Sequence, residues 1–150
     1  MLIGVPPILG PDFLFTLRAM GHGDELALVD ANYPAAEHGR RLVRADGHGI
    51  GPLLDAVLQV LPVDDFVEAA LFRAAVGGNA SAPPDPVHEE MERVVRARAP
   101  AHRLVALNGP DFYARVREAY AVVATGEGRL YGNIIIRKGV IRPELSRPHP

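Results

Sequence analysis

Met20-Gly21-His22-Gly23-Asp24-Glu25 runs directly into Leu26-Ala27-Leu28-Val29-Asp30. The apolar run reads as a short buried strand, and the glycines before it read as a tight turn. That turn delivers an imidazole to the start of the strand, and Asp30 closes its far end. Loops fixed to a rigid strand are common places for catalytic groups. Histidine is also the side chain whose ordinary charge change falls between about pH 5 and 8. His22 is therefore either a turn residue or a proton-transfer group. Asp30 is either a cap for the polar stretch that follows or a ligand-binding acid at the carboxyl end of a strand.

Upstream, Pro11-Asp12 opens a helix with Phe13, Leu14, Leu17 and Met20 on its apolar side, stopped by Gly21. Downstream, residues 31–41 are polar and irregular, and Leu42-Val43-Arg44-Ala45 is a second strand. Arg44 and Asp46 flank it as a structural ion pair. Gly51-Pro52 starts a helix through Leu53, Leu54, Val57, Leu58 and Leu61, ended by Pro62. Residues 66–72 read as a strand, 77–86 as a surface loop, 86–99 as a charged helix and 103–107 as another strand. Gly109-Pro110-Asp111 begins a long helix with Phe112, Val116, Ala119, Tyr120 and Val123 inward, broken at Gly126-Glu127-Gly128. The last strand is placed at 130–136, and a polar tail follows Ile141. Alternating strands and helices predict a three-layer α/β/α single domain with a parallel or mixed central sheet, spanning 1–141, with a flexible tail at 142–150.

Composition narrows the chemistry. The 150 residues are 48% hydrophobic and 23% charged, with net charge −2 and no cysteine. That balance offers no electrostatic footing for nucleic acid or an anionic membrane. Thiolate metal sites and cysteine nucleophiles are excluded. No signal-peptide pattern and no apolar run of about 20 residues is present, so a cytoplasmic protein is expected. Phosphate-binding glycine loops and the nucleophile elbow are missing, and the histidines lack zinc-ligand spacing. Tyr131-Gly132-Asn133 remains as a feature at the start of the last strand. It is either a strand tyrosine with a bulge glycine or a place where a ligand approaches the backbone near a phenol and an amide. An imidazole, a carboxylate, a phenol and an amide together suit a small neutral polyhydroxyl ligand better than a nucleotide.

Five segments occur in order: 20–25, 30–35, 44–47, 125–127 and Tyr131-Gly132-Asn133-Ile134-Ile135. As a set they resemble the family of L-fucose mutarotases and D-ribose pyranases. Gly-His-Gly-Asp-Glu at 21–25 and Arg-Ala-Asp-Gly at 44–47 bring the chain closer to the fucose branch, over residues 2–141. The resemblance implies anomer exchange in a free monosaccharide, L-fucose or a related sugar, with pyranose–furanose exchange as an accompanying activity. It implies no metal or organic cofactor. It further implies a ring-like homo-oligomer, commonly a decamer, with sites at subunit interfaces. By the same resemblance His22 is the catalytic group, and Asp30, Tyr131, Gly132 and Asn133 bind the sugar, the last three supplied by a neighbouring subunit. One departure stands out: Gly109 occupies the position where the family carries an arginine or histidine. That departure keeps a second reading in view, a monosaccharide-binding or regulatory oligomer without turnover.

Overall fold

The structure, a computed structural model, describes residues 1–143. Eleven of the elements matter here: α1 Pro11–Ala19, β1 Glu25–Val29, α2 Ala35–His38, β2 Leu42–Ala45, α3 Ile50–Val60, β3 Leu71–Ala74, α4 Pro86–Arg98, β4 Leu104–Leu107, α5 Gly109–Glu118, β5 Ala121–Thr125 and β6 Ile134–Arg137. The strands form one six-stranded sheet in the order β2-β5-β1-β6-β3-β4. β1, β5 and β2 run parallel, as do β3 and β4, and β6 lies antiparallel between β1 and β3. The sheet is mixed. Of the expected tail at 142–150, residues 144–150 lie outside the described residues.

Both faces of the sheet are covered, which gives the three layers. Leu26, Leu28, Val123, Ile134 and Ile136 face α1, α3 and α4, where Phe13, Leu17, Leu53, Leu54, Val57 and Met91 meet them. Ala27, Val29, Val122 and Ile135 face α2 and α5, where Ala35, Phe112 and Val116 pack. Strands buried on both faces are continuous apolar runs rather than alternating ones, and β1 and β5 show this pattern.

Four readings are corrected. Residues 31–41, read as irregular, hold the one-turn helix α2 at Ala35–His38. The long helix after Gly109 ends at Glu118, because Ala119 turns to φ −60° and ψ 148°. Ala121-Val122-Val123-Ala124-Thr125 then forms β5, fully buried between β2 and β1. Its inward spacing continues the helical pattern of Phe112 and Val116, and a short apolar run fits a buried helix and a buried strand equally. β3 begins at Leu71, not at residue 66; the segment before it is irregular and carries the exposed Phe66. β6 begins at Ile134, because Tyr131 sits at φ 62° in a turn.

The register of β6 decides what lies at each edge of the sheet. Leu28 is opposite Ile134 and Glu25 is opposite Arg137. Asn133 therefore lands beside Asp30 at the carboxyl edge of β1, and Arg137 lands beside the loop that holds His22.

Candidate functional site

At the amino edge of β1 the glycine turn has a specific geometry. Gly23 adopts φ +86°, where only glycine is unstrained, and a Cβ there would stand 3.1 Å from the Arg137 guanidinium. Its N–H donates to the Lys138 carbonyl at 2.8 Å, and Asp24 accepts from the Gly21 N–H at 2.7 Å. Lys138 Nζ in turn donates to the Leu17 and Met20 carbonyls at 2.8 and 2.6 Å, closing the end of α1 just before the turn. Asp24 and Glu25 are structural acids: Glu25 takes a forked pair of bonds from Arg115 at 2.6–3.0 Å.

His22 is thereby presented with its side chain 44% exposed and its Nε2 at 3.1 Å from Asp64 Oδ1. Asp64 is fully buried. Its Oδ1 also accepts the Phe66 N–H at 3.1 Å, and its Oδ2 accepts Arg137 Nε at 2.8 Å. Burial pushes the Asp64 carboxyl upward, but the bonds from Arg137, Phe66 and His22 outweigh it and hold it below the usual carboxylate range. An ionised carboxylate only accepts, so the proton between the two groups belongs to His22 Nε2. Nδ1 is then the ring nitrogen left to exchange a proton with a ligand. The Phe66 ring packs against the imidazole at 5.2 Å between centroids. Nothing in the spacing of Asp64 from His22 pointed to this pair; the antiparallel entry of β6, which brings Arg137 between them, creates it.

The opposite edge holds the other expected residues. Asn133 Oδ1 accepts the Asp30 N–H at 2.8 Å, and Asn133 Nδ2 donates to Asp30 Oδ2 at 2.9 Å. The Asn32 N–H donates to Asp30 Oδ1 at 2.9 Å. A carboxylate has about four lone-pair sites, so Asp30 keeps acceptor capacity for ligand hydroxyls. Asp30, Tyr33, Arg44 and Thr125 line a cleft of ≈ 390 Å³. Beside it, Tyr33 stacks on Tyr113 at 5.5 Å and its hydroxyl meets His38 Nδ1 at 2.9 Å. Burial, then the neighbouring Tyr113, raises the Tyr33 phenol above its ordinary value. Arg44 and Asp46 form the expected ion pair at 2.6 Å. Gly132 is buried against Glu127: a Cβ there would stand 2.7 Å from the Glu127 Cγ. Its freedom from a side chain serves the close approach of Glu127 beneath the turn. Glu127 itself accepts from Arg129 and from the Ile50 N–H, which brings its carboxyl down to about 2.

His22 and Asp30 bracket the five residues of β1, roughly 16 Å of extended chain. The chain therefore brings Asp30 and Asn133 together, pairs His22 with Asp64, and keeps the two groups apart. Gly109 is the first residue of α5, and a Cβ there would stand 3.5 Å from the Gly78 Cα. Among its neighbours in sequence, Arg103 pairs with Glu68, Asn108 accepts from the Ala80 N–H, and Arg115 is committed to Glu25. Among the described residues, no three His, Cys, Asp or Glu side chains converge as a metal site, and no helix is long and apolar enough to cross a membrane.

The RbsD / FucU transport protein family matches residues 3–141. Fucose mutarotase from Homo sapiens is 44% identical over 145 residues, covering 93% of this chain and 94% of that protein. L-fucose mutarotase from Haemophilus influenzae is 41% identical over 140 residues, covering 93% and 97%. The crystal structure of the fucose mutarotase in complex with L-fucose from Streptococcus pneumoniae superposes with a TM-score of 0.86 at 38% identity, over 94% of this chain and all of that one.

Proposed function

The chain belongs to the RbsD/FucU family, and from that membership we propose that it is a monosaccharide mutarotase, interconverting the α and β anomers of L-fucose or a related sugar. Relatives named fucose mutarotase at 41–44% identity over nearly the whole chain support the reaction and the sugar class. The observation that carries the chemistry is His22, exposed at its ring and backed by a buried, ionised Asp64.

Opening the ring takes a proton from the anomeric hydroxyl, breaks the bond between C1 and the ring oxygen, and places a proton on that oxygen. The aldehyde rotates about C1–C2 and closes on its other face by the reverse steps. His22 Nδ1 takes the anomeric hydroxyl proton and delivers it to the ring oxygen as the C1–O bond breaks, and the same transfer runs backwards in closing, so no net proton is consumed. Asp64 fixes the tautomer and the ring orientation, and stabilises the imidazolium while it lasts. Positioned proton transfer of this kind contributes about 10²- to 10⁴-fold. Asp30, Tyr131 and Asn133 hold the sugar hydroxyls, and Gly132 keeps that segment close beneath the ligand.

The complete site is assembled between copies of the chain. His22 with Asp64 comes from one protomer and Tyr131 with Asn133 from a neighbour, in a ring-like homo-oligomer, a decamer, in the cytoplasm; Asp30, bonded to Asn133 within one chain, goes with Asn133 and not, as the resemblance implied, with His22. The separation of the two groups across β1 supports this division. So do the exposed apolar side chains next to each half: Phe66, 63% exposed, touches His22, and Leu130, 61% exposed, precedes Tyr131.

Gly109 supports a second reading, a sugar-binding oligomer without turnover, since by the resemblance an arginine or histidine belongs at that position. Saturation transfer between the anomeric proton resonances of L-fucose and of D-ribose separates the two. Exchange above the solvent rate supports the mutarotase, whereas binding with exchange at the solvent rate supports the second reading.

A further inference from the structure

His88 is fully buried near the start of α4 and takes no part in the chemistry above. Its two ring nitrogens have fixed roles. The Asp85 N–H donates to Nδ1 at 3.1 Å, so Nδ1 is an acceptor and the ring proton lies on Nε2. Nε2 is 3.0 Å from the Tyr131 carbonyl and therefore donates to it. That same carbonyl accepts the Asn133 N–H at 2.8 Å, so both of its lone pairs are used.

The carbonyl belongs to an unusual residue. Among the described residues Tyr131 is the one non-glycine with positive φ, at 62°. A left-handed residue with a side chain is strained and persists only where surrounding contacts impose it. Here the contacts come from below: Val87 packs against Gly132, and the adjacent His88 bonds the Tyr131 carbonyl.

We infer that His88 is a positioning residue for the sugar-binding segment. Its Nε2–H fixes the Tyr131 carbonyl, and through it the direction of the Tyr131 phenol and the place of the Asn133 amide beside Asp30. The inference rests on the reading of Tyr131 and Asn133 as sugar-binding residues. The charged groups acting on His88 are Arg73 from β3 and Asp85 at the start of α4. Burial, then Arg73, holds the imidazole below its ordinary value, so it stays neutral and its tautomer stays fixed.

Two substitutions separate this role from capping α4. Asn places its amide oxygen near the Nδ1 position and can still accept from the Asp85 N–H, but it cannot reach Tyr131. Gln places an amide N–H near the Nε2 position and can donate to the Tyr131 carbonyl. The rate of anomer exchange is measured against L-fucose concentration for wild type, His88→Asn, His88→Gln and Tyr131→Ala. His88→Asn is expected to raise KM roughly tenfold with kcat within about twofold, and His88→Gln to restore a KM near wild type. A raised KM in Tyr131→Ala with a wild-type KM in His88→Asn overturns the positioning role alone. Wild-type KM in both overturns the sugar-site reading and the positioning role with it. The tautomer is tested without any substitution by imidazole ¹⁵N shifts of the wild-type protein. The Nε2–H form is expected, and the Nδ1–H form, which cannot donate to Tyr131, overturns the inference.

Discussion

Asp64 accepts hydrogen bonds from a ring N–H, a backbone N–H and a guanidinium while fully buried, so its charge is fixed where His22 needs it. His22→Ala is expected to assemble normally and to reduce exchange to the solvent rate, read by saturation transfer. Asp64→Asn keeps the shape but offers an amide in place of the charge, and is expected to lower exchange roughly 10²-fold. His88 gives a second residue-scale expectation, in stability. Its folded pKa is lowered, so below the unfolded value of about 6.5 the unfolded chain binds a proton that the folded chain resists. Stability from this group is complete above that pH and declines as pH falls below it. Urea unfolding between pH 7.5 and pH 5 should show this loss in wild type, and a smaller one in His88→Gln. Glycines and strand ends mark His22, Asp30 and Asn133 as candidates in the sequence, and the resemblance gives them their proposed roles. Asp64, His88 and Tyr113 were not legible, because their partners lie 42, 43 and 80 residues away in the chain, joined only by the fold.

At the scale of elements, β5 is the informative case. Its apolar residues continue the spacing of α5, and only the turn at Ala119 separates helix from strand. What it packs against decides the outcome, since Val122 and Val123 face opposite layers of the core. Val123→Ala removes two buried carbons at a fully buried position and is expected to cost about 2–3 kcal/mol, read as a lower urea midpoint with unchanged slope. The other elements were legible to within a few residues where caps or prolines mark them, as at Pro11, Pro52 and Pro86. β6 was placed too early because a tyrosine before an apolar run reads as strand, while its left-handed backbone is imposed by His88 and the packing of Gly132. Glu127→Gln tests the support under that turn. The folded carboxyl lies near 2 and the unfolded one near 4.3, so its contribution is complete above about pH 5 and is lost as pH falls toward 2. The variant should be less stable than wild type at pH 7 and lose less on acidification.

For the whole molecule, the mixed sheet sends the two sets of site residues to opposite edges, and exposed apolar side chains accompany both. The decamer proposed above corresponds to a mass about ten times the 16.1 kDa chain by light scattering, and Phe66→Glu is expected to lower that mass and the exchange rate with it. The central claim is that each site takes His22 from one protomer and Tyr131 from another. Co-expression of His22→Ala with Tyr131→Ala tests it most directly, because each variant alone lacks one half of every site. Random assembly in equal amounts should restore about a quarter of the sites, so at L-fucose well below the raised KM of Tyr131→Ala, exchange near a quarter of the wild-type rate is predicted. No recovery in verified hybrid oligomers would contradict a site shared between protomers.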